Sequence, residues 1–163
     1  MKFRDLKKSL AENLQAVYLI EGEDAFLREN ALRLIKERGL QEPDLNLTNL
    51  SGQEIKQDPE SFLTAVQSYP FMSDKRYVVV RDYTPSATEL KGKVIKRVFQ
   101  EPIDTAVIVI VNSEKCGVQF VARTHAGDNR DAVILRLFRE VDFCADGINR
   151  IGDVIVVFES EFV

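Results

Sequence analysis

The sequence predicts an α/β fold, a mainly parallel β-sheet with helices on both faces. Two observations carry that expectation. Short runs such as Val17-Tyr18-Leu19-Ile20 and Ala106 to Val111 are apolar at successive positions, as strands covered on both faces must be. The segments between them instead place apolar residues every three or four positions, the period of an amphipathic helix. The 163 residues have room for one ordinary domain with a small appendage.

In chain order, Phe3, Leu6, Leu10 and Leu14 predict an amphipathic helix over residues 2–14. Val17 to Ile20 is a buried strand leading to Gly22. Asp24 caps a helix with Leu27, Ala31, Leu34 and Ile35 inward, and Gly39 is expected to close it in the left-handed conformation. Leu45, Leu47 and Leu50 alternate with polar residues, which reads as a half-buried strand. Asp58-Pro59-Glu60 is a helix start, with a cap, a proline in the first turn and an acid at the positive dipole end. That helix carries Phe62, Leu63 and Val66 and stops before Pro70, because a proline biases the residue before it away from helical dihedrals. Residues 76–82 form a third strand. Ser86 and Glu89 make a capping box for one helix with Leu90, Val94, Ile95 and Val98 inward, followed by the strand from Ala106 to Val111. Beyond Cys116 the pattern weakens. Val118 to Val121 reads as a fifth strand, residues 131–140 as a helix, and Asp153 to Phe158 as either a β-branched strand or a helix.

Composition narrows the class. Hydrophobic and charged contents of 45% and 29% are those of a globular protein. No apolar run is long enough to cross a bilayer, and the basic N-terminus has no apolar signal core behind it, so a cytoplasmic protein without a membrane partner is expected. Cys116 and Cys144 stand far apart, outside metal-ligand spacing, and are expected as reduced thiols. A net charge of -4 argues against indiscriminate nucleic-acid binding by the whole surface.

The connection Tyr69-Pro70-Phe71-Met72-Ser73-Asp74-Lys75 is the most informative segment. It places two large apolar residues behind a proline, in a link where function concentrates. Such a pair is either tucked under the domain or offered to a partner. The turn after the first strand, Glu21-Gly22-Glu23-Asp24, lacks the glycine-rich loop and lysine that wrap phosphates, and its carboxylates would repel them. Those acids either stabilise and cap a helix or hold a metal beside a phosphate. His125 stands alone in a polar loop with no nucleophile signature, and Cys144 near Asp146-Gly147 does not match a calcium loop. Lys91, Lys93, Lys96 and Arg97, joined by Lys2, Arg4, Lys7 and Lys8, form either a phosphate-binding patch or a solvated face. No aromatic residue interleaves with them for base stacking.

Two segments in order resemble a known family. Ala16-Val17-Tyr18-Leu19-Ile20-Glu21-Gly22-Glu23-Asp24-Ala25-Phe26-Leu27 is similar to the opening strand and turn of the delta subunit of bacterial DNA polymerase III. Tyr69-Pro70-Phe71-Met72-Ser73-Asp74-Lys75-Arg76, with the valine-rich strand after it, resembles that family's clamp-contacting turn. The resemblance runs over about residues 1–115. It implies a noncatalytic AAA+-like module, related in fold to P-loop NTPases but without a functional nucleotide site or any cofactor. Such a module binds the sliding clamp (the beta subunit) and helps open it during DNA replication. By the same resemblance, Phe71 and Met72 are the clamp-binding pair, with Tyr69 and Pro70 shaping the approach. The other clamp-loader subunits are partners, and DNA is met through the assembled complex. Residues 1–122 then form the clamp-binding domain and 123–163 a divergent tail, read as the remnant of a helical lid. Family members continue into a lid and a C-terminal domain that this length cannot build. A small metal- and phosphate-handling enzyme using Glu21, Glu23 and Asp24, and a truncated remnant or fragment, stand as the alternatives.

Overall fold

A computed structural model of the protein describes residues 3–100, 103–114, 133–137 and 155–157. Its elements are α1 (Phe3–Glu12), β1 (Val17–Gly22), α2 (Ala25–Gly39), α3 (Pro43–Asn46), β2 (Leu47–Ser51), α4 (Gly52–Gln57), α5 (Pro59–Gln67), β3 (Arg76–Arg81), α6 (Ala87–Lys91), α7 (Lys93–Gln100), β4 (Ala106–Asn112), β5 (Val133–Leu137) and β6 (Ile155–Val157). The strands make one sheet in the order β2-β3-β4-β1-β5-β6, parallel except for β6, which runs antiparallel to β5. The expected α/β architecture is the one observed.

The alternation of side chains along each strand divides the core into two layers. Val17, Leu19, Val78, Val80, Ile108 and Ile110 face α4, α5 and α7, where Ile55, Phe62, Val66, Val98 and Phe99 cover them. Tyr18, Ile20, Tyr77, Val79, Val107 and Val109 face α1 and α2, under Leu6, Leu10, Ala31, Leu32 and Ile35. The central strands are therefore buried on both sides, which is why their sequences are continuously apolar. The Arg38 Nε–H donates to the Leu10 carbonyl at 2.7 Å and ties α2 to α1.

Helix starts follow the chemistry of their caps. Asp24 accepts the Leu27 N–H at 3.1 Å, Asp58 accepts that of Glu60 at 3.2 Å, and Ser86 and Glu89 form the expected reciprocal box.

Five details differ from the sequence reading. Gly39 is the last residue of α2, not a left-handed cap; a Cβ there would lie 2.9 Å from the Tyr77 hydroxyl, so its smallness serves close packing. Leu45 belongs to the turn of α3 and is exposed, so the strand begins only at Leu47. The short helix α4 was not anticipated. The helix expected after Ser86 is broken at Gly92, whose extended ψ of 138° separates α6 from α7. Finally, the expected helix over 131–140 is in its described part a strand, because Val133–Leu137 pairs in parallel with the free side of β1. The expectations for Lys2, Cys116, Val118 to Val121, His125, Cys144 and the boundary at 122/123 lie outside the described residues. So do those for the side chains of Phe3, Arg4 and Leu90.

Two buried phenols make this core sensitive to alkali. Tyr18 accepts the Gln15 N–H at 2.8 Å, and Tyr77 reaches the Ile35 carbonyl at 3.4 Å. Burial raises the Tyr18 pKa to about 12 and raises that of Tyr77 further above its ordinary value. The fold thus favours both neutral phenols, whereas the unfolded chain ionises them near pH 10. Their contribution is complete below about pH 10 and is lost as pH rises through the folded values, by roughly 1.4 kcal/mol per unit for each phenol. The melting temperature should be flat through the neutral range and fall above about pH 10, less steeply in Tyr18→Phe. A flat profile well past pH 11 (roughly one unit above the free phenol) would show that these hydroxyls are open to water.

Candidate functional site

In a parallel sheet every strand starts at the same edge, so the segments leading into neighbouring strands are brought side by side. Here β2 and β4 flank β3, with Leu47 opposite Tyr77 and Ala106 opposite Arg76. The connection from α5 to β3 therefore lies between the α3 turn and the loop entering β4. That connection is the segment singled out in the sequence.

Its start is set by the end of α5. The Ser68 N–H and hydroxyl both donate to the Thr64 carbonyl, at 3.0 and 2.7 Å, and Pro70 follows where the helix cannot continue. Its base is pinned on both sides. The Lys75 ammonium donates to the Asp104 carbonyl at 2.5 Å and the Arg76 N–H to the Thr105 carbonyl at 2.8 Å. The Arg76 guanidinium donates to the Leu45 carbonyl at 3.1 Å and to the Thr48 hydroxyl at 2.8 Å. Ser73 turns the chain by bonding both the N–H and the carbonyl of Lys75.

On this fixed base the apolar side chains point outward. Tyr69 is 84% exposed, Met72 82% and Phe71 56%, with Pro70 half-buried. Neither member of the pair is tucked into the core. Leu45, also exposed, adds to the same edge of the sheet through the neighbouring α3 turn. Met72 has φ of 49°, in the left-handed region that a non-glycine residue occupies at a cost on the order of 1–2 kcal/mol. The cost is tolerated where surrounding bonds hold the backbone.

The residue that sequence reading missed is Asn46. It is fully buried, and its side chain is consumed by three hydrogen bonds. Its amide nitrogen donates to the carbonyls of Gln41 and Phe71, both at 2.9 Å, and its amide oxygen accepts the Phe71 N–H at 2.7 Å. The only local signal is an asparagine between Leu45 and Leu47, which a strand pattern assigns to the solvent side.

The acidic turn lies at the opposite edge of the sheet. Glu21 is buried, Glu23 is exposed, and the Asp24 carboxylate is engaged in capping α2. The Arg28 guanidinium donates to the Gly22 carbonyl. Beside it, Arg81 grips both carboxylate oxygens of Glu29, at 2.5 and 3.1 Å, and holds that carboxyl below its ordinary pKa. Asn112 locks the Tyr83 backbone through two bonds of 2.9 Å. Among the described residues no group of three or more His, Cys, Asp or Glu is placed to hold a metal ion. Phe26, 75% exposed, is an apolar residue at this second edge.

Among the described residues the basic side chains of α1 and of α6–α7 do not form one patch. Lys91 closes α6, and Lys93, Lys96 and Arg97 lie on the exposed side of α7. Lys7 and Lys8 are on α1, which covers the other face of the sheet. Among the described residues no helix is long and apolar enough to cross a membrane.

A family model described as DNA polymerase III, delta subunit, matches residues 18–119, which is 102 of the 163 residues and includes the whole pinned connection. The chain belongs to this family. Among solved structures, the Bacillus subtilis DNA clamp loader delta protein is similar over 72% of this chain, with 22% identity and a TM-score of 0.58. The chain spans 37% of that protein's length. A DNA polymerase III gamma subunit-related protein from Thermotoga maritima is similar over 70% of this chain and 40% of its own, with 20% identity and a TM-score of 0.49. No curated protein matches the sequence. The delta-subunit family and the likeness in fold agree with the resemblance first read from the two sequence segments.

Proposed function

We propose that this chain is the clamp-binding module of a delta-type clamp-loader subunit. It docks onto the ring-shaped sliding clamp through Phe71 and Met72, with Tyr69 and Pro70 shaping the approach, and helps open the ring without catalysing a reaction itself. The observation that carries this reading is the exposure of both apolar side chains on a loop whose base is fixed to two neighbouring segments. Solvent-exposed apolar residues on a rigid support are the raw material of an interface hot spot, each contributing on the order of 1.5–3 kcal/mol when buried. The loop leads into β3, which β4 and β1 separate from β5. The clamp-binding unit proposed at residues 1–122 therefore draws its site from its own elements, and 123–163 is assigned no part in it.

The opposite edge supports a role without nucleotide. No lysine or glycine-rich loop follows β1, and there Asp24 caps α2, Arg28 donates to the Gly22 carbonyl and Arg81 pairs with Glu29. A metal- and phosphate-handling reaction gains no support, since Asp24 is committed to its cap and Glu21 is buried away from solvent. The direct test is binding of the chain to an immobilised bacterial sliding clamp, with and without magnesium and ATP. Saturable binding to the clamp, unchanged by ATP, is expected. Absence of clamp binding, or ATP-dependent stabilisation of the chain, would contradict the proposal.

The other clamp-loader subunits and DNA are partners of the assembled complex in this reading, with Lys91, Lys93, Lys96 and Arg97 meeting DNA phosphates. Neutralising Lys93, Lys96 and Arg97 together should weaken DNA binding by the assembled loader and flatten its salt dependence, by about 0.9 in slope for each phosphate no longer neutralised. Clamp affinity should stay as it was. An unaltered salt slope would make these cations an ordinary solvated face.

A further inference from the structure

We propose that Asn46 is a positioning residue for the docking loop: it latches the Phe71 backbone to the α3 turn and so holds the apolar pair in its binding arrangement before the partner arrives. The inference rests on the clamp-binding reading above and adds to it a residue outside the loop.

Three observations converge. Asn46 gives both ends of its amide to one distant residue, accepting the Phe71 N–H at 2.7 Å and donating to the Phe71 carbonyl at 2.9 Å. A side-chain amide that pairs with both polar groups of one residue copies the pairing of a neighbouring strand, and so fixes that residue's orientation as well as its position. Asn46 is itself immobilised. It is fully buried, its remaining amide hydrogen is donated to the Gln41 carbonyl at 2.9 Å, and its backbone N–H reaches the Glu42 carbonyl at 3.0 Å.

The third observation is backbone conformation. Three non-glycine residues with positive φ occur among the described residues, and two of them are Glu42 and Met72, at 45° and 49°. They sit on the two segments that Asn46 joins. Met72 immediately follows the latched residue, and Glu42 opens the turn that carries the latch. Residues in that conformation relax unless their neighbours are held. With Asn46 removed, the loop would sample other conformations, and its ordering would be charged against the binding free energy. A preset loop is ordered before binding, so Phe71 and Met72 meet the clamp in their final arrangement.

Only a donor and an acceptor held on one short side chain fit this geometry. Asn46→Ala removes both, and Asn46→Asp keeps the acceptor for the Phe71 N–H but turns a carboxylate towards two carbonyl oxygens. Both variants should loosen the loop, alanine by losing the bonds and aspartate by setting a buried carboxylate against two carbonyl oxygens.

The test combines amide exchange at Phe71 with clamp affinity, using the full chain and an immobilised bacterial sliding clamp. In the unsubstituted protein the Phe71 amide should exchange at least roughly tenfold more slowly than a free loop amide. In Asn46→Ala it should become fast while the β4 amides stay protected, and clamp affinity should fall about fivefold or more. Ile110→Val, a core change remote from the loop, serves as the control and should leave clamp affinity unchanged. An open Phe71 amide in the unsubstituted protein would overturn the latch without recourse to any variant. Unchanged clamp affinity in Asn46→Ala would also overturn it. If the unsubstituted chain fails to bind the clamp although its Phe71 amide is protected, the functional reading falls, and the latch stands only as a feature of the fold.

Discussion

Replacing Phe62 by alanine should destabilise the protein by about 3–5 kcal/mol, a large share of the stability of a domain this size. Phe62 is fully buried at the centre of the α5 layer, where its ring meets Tyr83 and Phe99 edge to face at 6.2 and 6.0 Å. Truncation removes the ring from water-free packing, leaves a cavity between α5 and the sheet, and deletes two aromatic contacts of about 0.5–1.5 kcal/mol each. The melting temperature should drop by roughly 10 °C or more. The contrast with Phe71 is the informative part. Two phenylalanines nine positions apart, on either side of one helix end, should differ several-fold in their effect on stability. A loss below about 1 kcal/mol for Phe62→Ala would mean that α5 is not packed on the sheet as described.

The same helix shows what was legible in the sequence. Asp58-Pro59-Glu60 carries its own start signal and Pro70 its own stop, both local and both encoded in single residue types. The continuous apolar character of β1, β3 and β4 reveals strands buried on two faces, and the parallel sheet follows from the helices between them. That Phe71 and Met72 lie in a connection was also legible, because a proline fixes where the helix ends; that they are exposed was not, since the residue types alone leave both a tucked and an offered pair open.

Features that depend on distant partners were not. Val133–Leu137 reads Val-Ile-Leu-Arg-Leu, too short for its period to separate a strand from a buried helix; the open side of β1 decides the matter. The α4 helix has a capping box at Ser51 and Glu54, as α6 does at Ser86 and Glu89, but its buried residues are Gly52 and Ile55, and a single apolar side chain in six residues leaves no periodic face to see. Leu45 fits the alternation of a strand, yet Pro43 initiates a helical turn that rotates it outward and Asn46 inward. That rotation created the latch on Phe71, which links positions 25 apart in sequence. The pairing of Arg81 with Glu29, 52 positions apart, was equally invisible.

The central claim concerns Phe71 and Met72. Both are exposed, so replacing them with alanine removes little packing, and stability should change by no more than about 0.5 kcal/mol. Buried in a partner's pocket, the same two side chains would each contribute on the order of 1.5–3 kcal/mol, so their joint loss should weaken binding by at least tenfold. The decisive measurement is therefore the affinity of the Phe71→Ala, Met72→Ala double variant for a bacterial sliding clamp, taken beside its melting temperature. An unchanged melting temperature with at least a tenfold loss of clamp affinity is expected. Clamp affinity equal to that of the unsubstituted chain, or a double variant that unfolds, would contradict the assignment of this loop as the docking site.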